Sequence, residues 1–526
     1  MTIQNWKKIS ETILLIILLS VSIYTIGQSF RSHLKFINYP YQVEYREGAA
    51  LAVTGLYIKG ENPYDIKFQP EHTYNYGFLY PLTTSMFAAY AGNNLAVHRA
   101  VTYGFILLTC IVLFFTLRRS GVNVILSFTA SAILHQTLLY YGLSSIARPE
   151  GLGILLYVMG IILPWRFNFS FASCIASIIL GILGYLAKPY YAFVIPVIFL
   201  YMFLFVNKKR AIIYGLISAV LFAVMVILVN AKYETFFNNT FFVHTNYSDY
   251  NFKYMLSQLI LYCRVNAVIL CIAIFSASIS AVVFLKSHTD FNSLLRRWRE
   301  KLGQVNFITL DAPVFKVNRD LLFIFVFITS AAAFVVYLGG NTGSDNAAYL
   351  FHLSSPFLIL ATLKSAEKIR SFSFSIVLVL LLIIALLTQF KPKMSGYVKQ
   401  MSNNKRAEEL IAGKKNILNS AETVSIIIDH NMKLYNSGHT EYFQYGISKL
   451  SINLGMSGKT ENKNLEYRNN LNTQIGSKAF DLILISETVT SFIQFIDKST
   501  LAKNYQCADT LTGPLSRIEI WLPLNQ

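Results

Sequence analysis

About eleven stretches of this chain are apolar over lengths near the roughly 20 residues that an α-helix needs to cross a hydrocarbon core. They lie near 11–30, 97–117, 122–141, 151–165, 169–187, 189–206, 211–230, 255–285, 320–338, 348–364 and 371–389. A backbone placed in lipid must satisfy its own polar groups, so runs of this kind fold as helices. The run 151–165 is short. The run 255–285 is long for one helix and carries Arg264, which allows its first turns to lie along the membrane surface. Composition agrees, with 54% hydrophobic and 14% charged residues and a mean hydropathy of +0.46. A soluble domain carries about 25% charged residues.

The charge distribution orients these helices. A net charge of +18 and a pI near 9.5 would suit a nucleic-acid partner if the cations were clustered. They sit instead in short connections between apolar runs, which excludes that class and follows the cytoplasmic excess of Lys and Arg. With the N-terminus in the cytoplasm, the connections at Arg118-Arg119, Arg166, Lys208-Lys209-Arg210, 286–319 and 364–370 all face the cytoplasm. The segments 31–96, 142–150, 188, 231–254, 339–347 and 391–526 then fall outside. Lys7 and Lys8 before the first run resemble a signal peptide, but no small-residue cleavage site follows, so an uncleaved first helix is expected. Cys110, Cys174, Cys263, Cys271 and Cys507 build neither a disulfide framework nor a metal-spaced set.

The expected fold class is an α-helical polytopic membrane protein with a small C-terminal α/β soluble domain. Its transmembrane part spans 1–390 and includes a first external loop, 31–96, too long for a mere connector. Within that loop, 47–57 reads as a helix on the membrane, 60–65 as a turn, and 78–90 as an interfacial or re-entrant helix. The loop 286–319 sets Phe291, Leu294, Leu295 and Trp298 against Arg296, Arg297, Arg299 and Lys301, which predicts a basic amphipathic helix. From 391 to 526 the chain turns soluble. Strands are expected at 423–429, 480–486 and 518–522, and helices near 403–416 and 487–497.

Glu44-Tyr45-Arg46-Glu47-Gly48, just beyond the first helix, holds two carboxylates three residues apart. Such a pair can line one cleft and supply the general base for attack by a hydroxyl. A solvated helix start explains the same acids without chemistry. On the same side lie Arg99, Arg148, Lys188 and His352, which can stabilise a phosphate leaving group; headgroup snorkelling accounts for such cations equally simply. Glu150 stands beside Arg148, to pair with it or to line the substrate site. Tyr64, Tyr74, Tyr76 and Tyr80 offer faces for sugar stacking, although an aromatic belt at the membrane surface produces the same enrichment. Asp345 with the Glu pair would suit a metal only if ligand spacing supported it, and none does.

The order of these motifs resembles the GT-C superfamily of integral membrane glycosyltransferases. The acidic motif is followed by Gly60-Glu61-Asn62-Pro63-Tyr64, Tyr74-Asn75-Tyr76-Gly77-Phe78-Leu79-Tyr80-Pro81, Arg148-Pro149-Glu150-Gly151 and Lys188-Pro189. The likeness is to the branch of dolichyl-phosphate-mannose mannosyltransferases and lipid A aminoarabinose transferases, and it covers about residues 10–370, by judgement from motif placement. It implies inverting transfer from a polyprenyl-phosphate-linked sugar to a glycan, lipid or protein acceptor, at the outer face of a bacterial inner membrane. The catalytic acid it implies is Glu44 or Glu47. Better-known members carry an Asp-Glu pair there. Glu-x-x-Glu in its place leaves open which acid is the base and whether a divalent cation takes part. A lipid-linked sugar flippase and an O-antigen-type polymerase or ligase are the competing classes. The flippase predicts paired repeats and mid-membrane ionisable groups, and the polymerase a large late external loop; neither pattern is seen.

Overall fold

The computed structural model describes residues 3–140, 146–242, 251–286, 319–338, 346–367, 369, 371–389, 394–440, 442–445, 458–486, 491–512 and 517–524. The chain is mostly helical, with a small sheet near the C-terminus. Three helices among the described residues are long and apolar enough to cross a membrane: Asn5–Ile37, Leu95–Arg119 and Lys208–Lys232. A fourth span is available if Phe252–Val265 and Ala267–Ile279, bent by 75° at Asn266, act as one. The bend lies just past Arg264, within the run that is long for one helix. The remaining apolar runs are also helical but shorter, including Val124–Leu139, Phe171–Ala187, Leu321–Val336 and Phe372–Thr388.

Local chemistry sets several starts. Asn94, Ser170 and Asn207 are extended residues whose side chains accept from backbone N–H groups one turn ahead, which satisfies donors that a helix start leaves orphaned. Glu150–Arg166 and Asn346–Ala366 lie at the centre of the helical part, where Tyr157, Ile161, Phe357 and Leu360 are fully buried. On Lys208–Lys232, by contrast, Leu216, Val220, Ile227 and Leu228 are exposed, an apolar face that suits lipid better than water. At one end, Asp320 pairs with Lys364 at 2.6 Å and accepts from Trp165 Nε1 at 3.2 Å, tying three helices together.

In the first loop, Tyr45–Ile58 and Leu79–Ala91 are helices as expected. The C-terminal region departs further from expectation. Its sheet has strands β1 (Ile417–Leu418), β2 (Leu482–Ser486), β3 (Tyr505–Thr512) and β4 (Arg517–Pro523), in the order β1-β2-β4-β3. β1 runs parallel to β2, and the other pairs are antiparallel. The strands at 480–486 and 518–522 are recovered as β2 and β4. The strand expected at 423–429 is instead a 3-10 turn, Ala421–Thr423, followed by the helix Val424–Asp429. A short β-branched apolar run does not distinguish the two states by itself; here it packs as a helix against Gly48, where an added Cβ would meet Val424 Cβ at 2.5 Å. The helix placed near 403–416 runs Met394–Ile411, and that near 487–497 reduces to a 3-10 turn, Ser491–Phe495, with 487–490 outside the described residues. β1, β3 and the helix Gly458–Gly476 were not anticipated; they are polar or very short. The expected amphipathic helix in 286–319 and the residue Asp345 lie outside the described residues.

The C-terminal sheet does not keep its core to itself. Phe36, Tyr39, Tyr41, Val43 and Ala52 form one buried cluster with Ile411, Ile417, Val424, Ile427, Leu482 and Ile520. Packing is therefore continuous from the end of the first helix into the last strands, although composition changes sharply at 391.

Candidate functional site

Glu44 and Glu47 face different surroundings, although they are three residues apart. Glu44 is the N-cap of Tyr45–Ile58 and still extended, at φ −153° and ψ 137°, so the helical rule that aligns such pairs does not reach it. Glu47 turns inward. Its Oε1 accepts from Arg99 Nε at 2.8 Å and from Ala147 N at 2.9 Å; its Oε2 accepts from Arg99 Nη2 at 2.8 Å and Val43 N at 2.9 Å. The rest of the Arg99 guanidinium donates to the carbonyls of Phe36, Tyr39 and Tyr41. Both side chains are 0% exposed. Read from sequence as a base and a phosphate ligand, these two are each other's partner, with no lone pair of Glu47 left for a substrate proton.

Glu44 keeps 17% of its side chain exposed. Its Oε1 accepts from Arg46 Nη1 at 2.7 Å, and its Oε2 lies 3.8 Å from Arg148 Nη1. Arg148 leads to a second ionic cluster. Pro149 separates it from Glu150, the first residue of Glu150–Arg166, whose Oε1 takes Arg148 Nη2 and Lys188 Nζ at 2.8 Å each. All three are buried. Lys188 sits in the connection between two apolar helices, with Pro189 opening the 3-10 turn Pro189–Phe193 as expected. Burial pushes its amine down to about 7, against the opposing pull of Glu150.

Aromatic rings wall this cluster. Lys188 Nζ lies 3.9 Å from the Tyr76 ring centroid and 4.8 Å from that of Tyr349. Arg148 Nη2 donates to the Tyr76 hydroxyl at 3.0 Å. Gly77 makes this approach possible: its N–H donates to Ala187 O at 3.2 Å, and a Cβ there would sit 1.8 Å from Leu186 O. Gly153 does the same for Tyr191, whose ring occupies the space a Cβ would need. The Tyr191 hydroxyl in turn bonds His352 Nδ1 at 3.0 Å, and His352 lies within electrostatic reach of Glu150, Lys188 and Arg148.

Among the described residues, three buried atoms here have no hydrogen-bond partner: Glu150 Oε2, His352 Nε2 and the Tyr74 hydroxyl. Buried polar atoms are rarely left so, and each costs about 1–3 kcal/mol unless something else satisfies it. The structure thus brings together Glu44, Tyr74, Tyr76, Arg148, Glu150, Lys188 and His352 from five separate stretches of sequence. It leaves Tyr64 and Tyr80 in packing roles. The Tyr64 hydroxyl donates to Tyr76 O at 2.8 Å, and that of Tyr80 bonds Thr102 Oγ1 at 2.9 Å.

Sequence reasoning missed Arg46, Tyr191, Tyr349 and His439. The first three flank motifs it had singled out and were legible as neighbours of charge. His439, whose ring lies beside those of Tyr74 and Tyr76, lies in a polar stretch with no signal at all. Among the described residues no group of three or more His, Cys, Asp or Glu gathers to hold a metal. Fold and site together define a helical protein with candidate membrane spans and a buried, aromatic-walled cationic site at the helix ends. Comparison with protein-family models, curated proteins and solved structures finds no match to this chain.

Proposed function

We propose that this chain is a membrane glycosyltransferase that moves a sugar from a polyprenyl-phosphate donor to a glycan, lipid or protein acceptor. In this reading the N-terminus is cytoplasmic and the chain lies in a bacterial inner membrane. All of the roughly eleven apolar runs cross it, and the loop 31–96 and the C-terminal domain lie outside. The observation that carries the reading is the placement of the partly exposed Glu44 within 3.8 Å of Arg148, at the edge of the buried Arg148–Lys188 pair.

The chemistry follows from that placement. The acceptor hydroxyl attacks the anomeric carbon while Glu44 takes its proton. The bond from that carbon to the phosphate oxygen breaks, and the phosphate leaves with the electron pair, giving one inversion. Arg148 and Lys188 stabilise the charge that develops on the phosphate, more strongly for being dry. Glu150 holds both cations until a phosphate competes for them. Its free oxygen, with His352 Nε2 and the Tyr74 hydroxyl, provides partners for sugar hydroxyls.

The test is transfer in reconstituted membranes from a panel of undecaprenyl-phosphate sugars, with and without a chelator of divalent cations. Glu44→Gln should bind donor but lose transfer by about 10²–10⁴-fold, the usual contribution of a positioned base. A Glu44→Gln chain as active as wild type would sink the assignment. Donor that reaches the other leaflet unconsumed would replace the transferase with a flippase.

A further inference from the structure

The C-terminal domain reaches into this site. Its segment 436–440 is buried throughout and lies against the part of the first loop, 73–76, that carries the aromatic wall. Ser437 Oγ donates to Thr73 O at 2.9 Å, and Asn75 N donates to His439 Nδ1 at 3.4 Å. An acceptor at Nδ1 places the proton of a neutral ring on Nε2. The turn that presents the histidine is tight: Gly438 has φ +89°, and Tyr45 O lies 3.0 Å from where a Cβ would project.

His439 sits among four tyrosines. Its ring centroid is 5.9 Å from Tyr45, 5.7 Å from Tyr74, 5.6 Å from Tyr76 and 5.5 Å from Tyr442. The contacts to Tyr45 and Tyr76 are edge-on, at 88° and 90°, the geometry that ring quadrupoles favour. Tyr45 carries the Arg46 guanidinium on its face at 4.6 Å, and Tyr76 carries Lys188 at 3.9 Å. One histidine from the C-terminal domain thus braces the two rings that touch the two charged patches of the site.

We propose that the C-terminal domain is a working part of the site, with His439 as the positioning residue that sets Tyr76 beneath Lys188 and Tyr45 beside Arg46. This rests on the reading of Arg148 and Lys188 as the seat of a phosphate. Without the imidazole, four tyrosines border a void and Tyr76 can tilt away from the cation it faces. The anion then meets a less ordered, wetter pair of cations. A brace with no such role would lower stability and leave affinity in the folded fraction untouched.

The experiment uses the full chain in lipid nanodiscs, titrated with undecaprenyl phosphate, with a thermal melt of each variant. His439→Ala should weaken binding by about tenfold in the folded fraction, and His439→Phe should restore most of it through ring contact. Loss of binding in Lys188→Ala with wild-type affinity in His439→Ala would overturn the proposal and leave the phosphate reading standing. A wild-type chain that does not bind, or a Lys188→Ala chain that binds equally well, would remove both. His439→Phe as weak as His439→Ala would refute the ring-contact account. Should His439→Ala fail to fold, Tyr442→Phe decides, since it removes the hydroxyl that meets Tyr45 at 3.1 Å and keeps the ring beside His439. Weakening by about threefold there supports the proposal, and unchanged affinity overturns it.

Discussion

The Glu47–Arg99 pair and the Glu150–Arg148–Lys188 cluster each set a buried carboxylate against buried cations, yet their surroundings differ. Around Glu47 every lone-pair position is taken, and two stretches of backbone, 36–43 and Ala147, supply or accept the remaining bonds. Around Glu150, among the described residues, one carboxylate oxygen has no partner, a neighbouring imidazole nitrogen has none, and the cations lie against ring faces. Burial and charge pairing, common to both, therefore do not mark a site. What distinguishes the second cluster is polar capacity without a partner among the described residues, beside an acid that keeps contact with solvent.

The contrast can be broken most forcefully at Glu47. Glu47→Ala strands the Arg99 guanidinium without its counter-ion, and loss of one partner of a buried pair costs about 3–5 kcal/mol. The expected outcome is a large fall in melting temperature and in the amount of folded chain, whatever ligand is present. A stable Glu47→Ala protein that had lost only transfer would return Glu47 to the chemistry. At the other cluster the effect should move from stability to binding. Lys188→Ala leaves Glu150 paired with Arg148, so melting should fall less than in Glu47→Ala. Undecaprenyl phosphate binding should drop about 10- to 100-fold, the worth of one charge-assisted bond.

Acidity sharpens the comparison further. Because the Lys188 amine titrates near 7, its cation is lost as pH rises through that value, and affinity for the anion should fall with it. The same titration in Lys188→Ala should lack that component. Stability runs the other way. The unfolded amine holds its proton up to about 10.5, while the folded one releases it near 7. The unfolded state therefore binds more protons between those values, and this group's contribution to stability rises with pH across them. The smallest effect is expected at Tyr64, whose hydroxyl only steadies the Tyr76 carbonyl. Tyr64→Phe should cost about 1 kcal/mol in a melt and change anion affinity by less than Lys188→Ala.

Much of the framework was legible because it depends on local chemistry. Apolar runs, Asn and Ser caps and the Arg-Pro-Glu and Lys-Pro corners place helices and their ends from neighbours within a few residues. The run 423–429 failed because its β-branched residues suit either state and its packing partner, Gly48, is far away in sequence. β3 failed because an edge strand with mostly exposed or half-exposed residues has little apolar signal. The site was half legible. Glu44, Arg148, Glu150, Lys188 and the Tyr-x-Tyr-Gly stretch were found as motifs, but Tyr64 and Tyr80 look identical to Tyr74 and Tyr76 when only composition is seen.

The sequence by itself determined that this chain is mostly helical, which segments favour lipid, and which stretches concentrate charge and aromatic rings near helix ends. The tertiary structure alone decided which acid meets a cation distant in sequence. Glu47 meets Arg99 across 52 positions, and His439 meets Asn75 across 364. Partner choice at those separations depends on how helices and loops pack. Whether a carboxylate ends as a sealed strut or as an acid open to substrate is fixed only when its last hydrogen bond is made or left unmade.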